Sequence, residues 1–137
     1  MNRGIFWTSM VLLLLVLPGC GKQNYADGTY TGTSSPDDDG AFGEVTLIVT
    51  EGKITSCVFV TRQKDGTIKD QDYGKINGEI SNQSYYEKAQ LAVAAMEKYA
   101  EDLGRFGNLD SVEAISGATI AYGQFQEAVE EALASAK

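Results

Sequence analysis

Residues 43–61 constrain the fold most strongly, because their side-chain pattern predicts a β-hairpin. From Gly43 to Thr50, apolar and polar residues alternate, as they do when successive side chains of a strand point to opposite faces. Glu51-Gly52 has the composition of a tight two-residue turn, and Lys53–Thr61 that of the returning strand. We expect Val45, Leu47 and Val49 to share one face of the first strand, and Ile54, Val58 and Val60 to share a face of the second, opposite Thr55, Cys57 and Phe59.

Shorter signals on either side of the hairpin predict one more strand and several loops. Thr29–Thr33 is a β-branched and aromatic run suited to a strand. Residues 34–40 contain a proline and three consecutive aspartates, which lack the alternate-position spacing of a calcium loop, so we interpret them as a solvated loop. Residues 64–67 have the composition of a turn, and residues 69–80 show no clear pattern.

Two helices complete the predicted architecture. Between Ser84 and Leu103, apolar residues recur at spacings of three and four, which predicts an amphipathic helix that ends near Gly104. A second, alanine-rich amphipathic run extends from Ile120 to Lys137. The pattern therefore predicts one α+β domain, in which a small antiparallel sheet packs against two helices.

The first 19 residues have the composition of an export signal. Arg3 supplies the positive charge, and the apolar run from Met10 to Leu17 is too short to favour a membrane-spanning helix. Residues 17–20, Leu-Pro-Gly-Cys, resemble the cleavage box of bacterial lipoproteins, in which the cysteine becomes the first mature residue and carries lipid. We predict a signal peptide at residues 1–19, a lipidated Cys20 with a tether to residue 26, and a domain over residues 27–137. An ordinary secretory signal that contains a cysteine is the alternative.

Composition excludes several kinds of function. The net charge of the chain is -8, and cleavage before Cys20 removes Arg3, which leaves 118 residues with a side-chain charge of -9. Such an acidic domain repels nucleic acid and anionic headgroups, so contact with the membrane has to come from the lipid. The absence of histidine excludes histidine-based catalysis and histidine ligation of haem or zinc, and we predict no metal site. Cys57, in a predicted strand, is expected to be a small buried residue.

The residues Ser116-Gly117-Ala118-Thr119 combine a backbone suited to phosphate with a hydroxyl group at the start of a helix. Gly117 allows a turn with positive φ, and Ser116 is a favourable N-cap residue. The first N–H groups of the following helix would then point outward, an arrangement that holds phosphate. For an arbitrary sequence, a capped helix start that binds nothing would be the better explanation.

The context of this motif resembles the FMN-binding domain family, in which such a motif is the site of flavin attachment. Asp27–Gly32 is similar to the opening strand of the family, the hairpin to its central strands, and the long helix to the one that precedes the motif. Glu113–Thr119 aligns with the family pattern Asp-x-x-Ser-Gly-Ala-Thr, with glutamate in place of aspartate. The resemblance covers nearly the whole mature domain.

The resemblance implies an electron-transfer carrier, not an enzyme, that is anchored on the extracytoplasmic face of the cell membrane. FMN would be linked to Thr119 as a phosphodiester by a separate flavin transferase, because a threonine hydroxyl without a neighbouring base is a weak nucleophile. A membrane electron donor and an extracytoplasmic electron acceptor would be its partners. The residues assigned to FMN are Thr119 for attachment, Ser116, Gly117 and Ala118 for the turn, Glu113 for loop orientation or transferase recognition, and Tyr122 for packing against the isoalloxazine ring.

Other interpretations stay open from the sequence. Tyr122 fits a core residue as well as a flavin contact. A lipoprotein that holds FMN or another ligand non-covalently, for sensing or adhesion, is the alternative function, since a transferase that reads the family's aspartate would modify a chain with Glu113 slowly or not at all. The released signal peptide, apolar from Leu12 to Gly19, also resembles peptide pheromones carried by some lipoproteins of this family.

Overall fold

The computed structural model describes residues 24–137, and the predicted signal peptide and Cys20 lie outside the described residues. Three antiparallel strands form a sheet in the order β1-β2-β3 and are followed by two helices. The elements are β1 (Gly28–Thr33), β2 (Phe42–Thr50), β3 (Lys53–Arg62), α1 (Gln83–Phe106), a 3-10 turn (Leu109–Ser111) and α2 (Thr119–Ala134). The predicted α+β architecture, with a small antiparallel sheet and two helices, is confirmed.

The hairpin turn between β2 and β3 has the predicted position. Glu51 and Gly52 have φ values of 53° and 74°. Two consecutive residues with positive φ match the right-handed twist of the flanking strands, which is why such turns connect hairpins.

A bulge in β3 changes which of its side chains are buried. The pairing of β2 with β3 shifts by one residue, so that no residue of β2 stands opposite Thr55 in the strand register. Because an extra residue reverses the alternation, Ile54 and Phe59 both face the core, whereas Val58 is 58% exposed. The prediction that Ile54, Val58 and Val60 share a face is therefore wrong.

Both helices pack on one face of the sheet and meet around a cluster of aromatic rings. α1 contacts β3, and α2 contacts β1 and β2. The ring of Phe125 in α2 lies 5.2 Å from that of Phe59 in β3 and 5.6 Å from that of Tyr99 in α1. Burying a side chain of this size contributes about 1.5–3 kcal/mol to the free energy of folding. This cluster therefore fixes the two helices relative to the sheet.

α1 ends later than the sequence predicts. Gly104 lies within the helix, where it faces the backbone of β3 at Ser56, and Gly107 is the residue with left-handed backbone, at φ 69°. The Gly107 N–H donates to the Leu103 carbonyl at 2.8 Å, which closes the helix. The predicted end at Gly104 is wrong, because both glycines could have supplied the cap and only Gly107 adopts the left-handed backbone that ends the helix.

The segment between β3 and α1 is fixed by hydrogen bonds. The Asp65 carboxylate accepts the Thr67 N–H at 2.9 Å, which confirms the predicted turn at residues 64–67. Further along, the Gln90 amide on α1 donates to the carbonyls of Asp70 and Tyr73 at 3.1 and 2.9 Å. Contact with α1 therefore helps to fix residues 70–73, which lie in the stretch that shows no clear sequence pattern.

The first described residues are attached to the domain. The Tyr25 N–H donates to the Gly52 carbonyl at 3.2 Å, and the Ala26 N–H donates to the Ala136 carbonyl at 2.8 Å. The ordered domain thus includes two residues that precede the predicted boundary at residue 27. Within residues 24–137, neither helix combines the length and the hydropathy needed to cross a bilayer.

Candidate functional site

The motif forms a β-turn that leads directly into α2. The Ala118 N–H donates to the Ile115 carbonyl at 3.0 Å and closes a turn with Ser116 and Gly117 at its centre. Gly117 has the predicted positive φ, 85°, and a Cβ atom there would lie 2.9 Å from Leu91 Cδ2 on α1. The backbone conformation therefore favours glycine, and a Cβ atom there would also displace the Leu91 side chain.

α2 begins one residue earlier than predicted and has a different N-cap. The helix starts at Thr119, and its N-cap is Ala118, whose side chain has no oxygen that could accept an N–H. Ser116 is exposed and lies two residues before the cap. The prediction that Ser116 caps the helix is therefore wrong, and α2 begins without a side-chain cap.

The N-terminus of α2 leaves three backbone donors open. The N–H groups of Thr119, Ile120 and Ala121 have no hydrogen-bond acceptor among the residues that the structure describes. The next donor, the Tyr122 N–H, bonds to the Ala118 carbonyl at 3.0 Å. Such open donors concentrate the partial positive charge of a helix N-terminus. This end of α2 faces solvent, because Thr119 is exposed and Ile120 is 69% exposed.

The Thr119 hydroxyl has no activating partner in residues 24–137. No described side chain or backbone group makes a hydrogen bond with it. Glu113 is exposed and likewise makes no hydrogen bond or ion pair within this part of the chain. The turn can thus present a hydroxyl and hold an anion, but no described residue is placed to take the proton of that hydroxyl.

Two tyrosines hold the motif from the interior. The Tyr99 hydroxyl accepts the Ile115 N–H at 2.9 Å and donates to the Ala118 carbonyl at 3.3 Å. The Tyr122 hydroxyl donates to the Val112 carbonyl at 2.7 Å, and its ring lies 5.2 Å from the Tyr99 ring. These contacts of Tyr122 are those of a core residue, and packing of its ring against a flavin stays a prediction.

Tyr99 and Leu91 are residues of the site that the sequence analysis did not identify. Tyr99 lies on the apolar face of α1. A buried tyrosine needs a hydrogen-bond partner for its hydroxyl, so a tyrosine on this face is the sequence feature that could have pointed to the contact. Leu91 contacts the turn although it is 49% exposed and lies off the apolar stripe of its helix. The sequence feature that could have pointed to Leu91 is its position, as a leucine on the polar side of an amphipathic helix.

A wide cleft of about 1020 Å³ lies elsewhere, between residues 62–78 and the start of α1. Its lining does not include any residue of the turn. Two of its cations pair with carboxylates, Arg62 with Glu44, and Lys75 with Asp72 at 2.7 Å. The motif therefore lies on the surface and not in this cleft.

Cys57 and the acidic residues do not add a second reactive site to the described part of the chain. Cys57 is half-buried, and burial raises the pKa of its thiol to about 12, so the thiol is protonated and unreactive at neutral pH. Among residues 24–137, no cluster of three cysteine, aspartate or glutamate side chains is arranged to hold a metal ion.

Comparisons with known proteins identify the family of the domain. The sequence model of the FMN-binding domain matches residues 40–134, which include the turn and nearly all of α2. No curated protein sequence matches the chain. The crystal structure of the CPE2226 protein from Clostridium perfringens is similar, with a TM-score of 0.63 and 22% identity over 82% of this chain and 88% of that one, which shows a shared fold. Because the family match covers more than half of the chain, the protein belongs to the FMN-binding domain family and FMN is the cofactor of its domain.

Proposed function

We propose that this protein carries FMN covalently on Thr119 and relays electrons as a lipid-anchored carrier outside the cytoplasmic membrane. The observation that supports the proposal best is the position of Thr119. Its exposed hydroxyl stands at the open N-terminus of α2, in a chain that belongs to a flavin-binding family.

The residues at the turn fit a flavin phosphate. The N–H groups of Thr119, Ile120 and Ala121 offer three donors, and the helix N-terminus favours a negative charge. The acidic mature chain disfavours anions as a whole. A phosphodiester carries one negative charge where a phosphomonoester carries nearly two, so attachment as an ester reduces this repulsion.

Attachment to Thr119 exchanges one phosphate bond for another. The Thr119 oxygen would form a bond to the riboflavin-side phosphorus of FAD, the bond between the two phosphates of FAD would break, and AMP would leave with the bonding electron pair. The hydroxyl proton would pass to a base. Because no described residue hydrogen-bonds to the hydroxyl, a separate flavin transferase would supply that base. Glu113, exposed on the segment that enters the turn, is available for recognition by the transferase.

The two ends of α2 separate the proposed flavin from the proposed anchor. Ala26, the last residue of the predicted tether, bonds to Ala136 beyond the C-terminal end of the helix, whereas Thr119 begins it. A helix of 16 residues is about 24 Å long. Lipid on Cys20 would therefore hold the domain by the end opposite Thr119. When bound, FMN supplies both one- and two-electron chemistry, which suits transfer from a membrane donor to an extracytoplasmic acceptor.

Two substitutions at Thr119 test the proposal. We expect the protein made with a flavin transferase and FAD to keep flavin fluorescence after denaturation, and Thr119→Val to lose it completely, since valine has the same shape without the hydroxyl. Thr119→Ser keeps a hydroxyl and should keep measurable attachment. Fluorescence that stays with denatured Thr119→Val would contradict the proposal. Flavin that is released from all three proteins on denaturation would favour the non-covalent alternative.

A further inference from the structure

We infer that the Tyr99 hydroxyl is a positioning group for flavin attachment, an inference that rests on the proposed function of Thr119. Tyr99 does not reach the surface, since it is 0% exposed. It would act through the backbone of the turn at residues 115–118, by holding that turn in the conformation that keeps α2 uncapped and Thr119 exposed.

The Tyr99 ring has a fixed position in the core. It stacks on Phe125 at 5.6 Å and packs against Tyr122 at 5.2 Å. A tyrosine side chain has only two rotatable bonds before its hydroxyl, so packing of the ring also fixes the oxygen. The hydroxyl is therefore a rigid point against which the turn can be held.

The hydroxyl binds the two backbone groups that the turn does not use itself. The turn closes through the Ile115 carbonyl and the Ala118 N–H. Tyr99 takes the complementary pair, the Ile115 N–H at 2.9 Å and the Ala118 carbonyl at 3.3 Å. One oxygen thus bridges the first and last residues of the turn, and the bonded carbonyl is also the one that accepts the first helical bond of α2, from Tyr122.

The centre of the turn depends on these two ends. Neither Ser116 nor Gly117 makes a hydrogen bond within residues 24–137, and both are exposed. Without the Tyr99 hydroxyl, the Ile115 N–H would lose its acceptor, and the turn would populate other conformations. A transferase that recognises one conformation would then find it in a smaller fraction of the molecules.

The test compares Tyr99→Phe with Tyr86→Phe in the purified protein. Both tyrosines lie on α1, and each variant keeps an aromatic ring and loses a hydroxyl that bonds to the backbone, but Tyr86 donates to the Gln71 carbonyl and only Tyr99 bonds to the turn. Loss of a buried hydrogen bond changes an equilibrium by roughly fivefold, and two are lost here, so we expect Tyr99→Phe to lower kcat/KM for flavin attachment about 25-fold. Hydrogen exchange at the Ile115 amide should become faster in the same variant.

The two variants separate positioning of the turn from general stability. We expect Tyr86→Phe to keep kcat/KM and Ile115 exchange near those of the unchanged protein, when both variants are fully folded. Equal attachment by Tyr99→Phe and the unchanged protein would overturn the inference alone, and so would an equal loss in both variants. If the unchanged protein takes up no flavin, the proposed function is wrong and the inference falls with it.

Discussion

The two helices differ in how the backbone donors at their N-termini are satisfied. At α1, Asn82 has φ -139° and its side chain accepts the Tyr85 N–H at 3.0 Å. At α2, Ala118 has φ -132° and no side-chain acceptor. An asparagine cap contributes about 1 kcal/mol more than alanine, so α2 lacks a stabilisation that α1 has. Three donors are left open at the start of α2, where we propose that the flavin phosphate binds.

The N-termini of the two helices also differ in the contacts that fix their positions. α1 is fixed at its own surface, by the cap and by hydrogen bonds from Gln90 to the preceding segment. α2 is fixed from the interior, by Tyr99 and by the bond from Tyr122 to Val112. Support from the core keeps the solvent side of α2 free, which a ligand at that end requires.

Replacing Gly117 should break this arrangement most strongly. Gly117→Ala places a side chain on a backbone with φ 85°, within 2.9 Å of Leu91 Cδ2. Left-handed backbone costs an alanine about 1–2 kcal/mol, so we expect unfolding by urea to show a loss of that size, together with slower flavin attachment. Gly66→Ala is the matched control, since φ is 90° and a Cβ atom there has open space. A Gly117→Ala variant that accepts flavin as fast as Gly66→Ala would contradict the role of the turn.

Removing the cap of α1 should affect stability alone. Asn82→Ala takes away the acceptor for the Tyr85 N–H, and we expect a loss of about 1 kcal/mol in the free energy of unfolding. The rate of flavin attachment to the folded variant should not change, because Thr119 is at the start of the other helix. Thermal unfolding and attachment kinetics on the same sample check both expectations, and slower attachment would show that the two helix starts are coupled.

Adding a cap to α2 should give the smallest change in stability. Ala118→Ser introduces one hydroxyl at the N-cap, next to the open donors, and we expect a gain of about 0.5 kcal/mol in the protein without flavin. The same hydroxyl would compete with phosphate for those donors, so flavin attachment should be slower. A stabilised variant with unchanged attachment would show that the open donors do not serve the phosphate.

Much of the fold could be predicted because it follows from local patterns. The hairpin turn at Glu51-Gly52 and the apolar stripe of α1 depend on residues close in sequence, and both are found. The predicted core-facing side of β3 was wrong because of the bulge at Thr55. The alternation of apolar and polar residues in the sequence does not show where this bulge lies. The predicted end of α1 was wrong because Gly104 and Gly107 are both residues that can end a helix, and the residue type does not show which of them adopts the left-handed backbone.

The site could be located from the sequence, but its support could not. Gly117 and Thr119 were identified through the motif, and the positive φ of Gly117 is confirmed. Ser116 was assigned a local role as N-cap, whereas the turn is held by Tyr99, a residue 16 positions before Ile115 in the chain. Such a contact depends on how α1 packs against α2, and neither helix pattern contains that information.

The most direct test is the mass of the intact protein after incubation with a flavin transferase and FAD, measured under denaturing conditions. We predict a gain equal to FMN less one water, on the peptide that contains Thr119. An unmodified mass would contradict the account, and modification of Glu113→Asp alone would trace the failure to residue 113, where the family pattern has aspartate. An adduct on a residue other than Thr119 would contradict it as well.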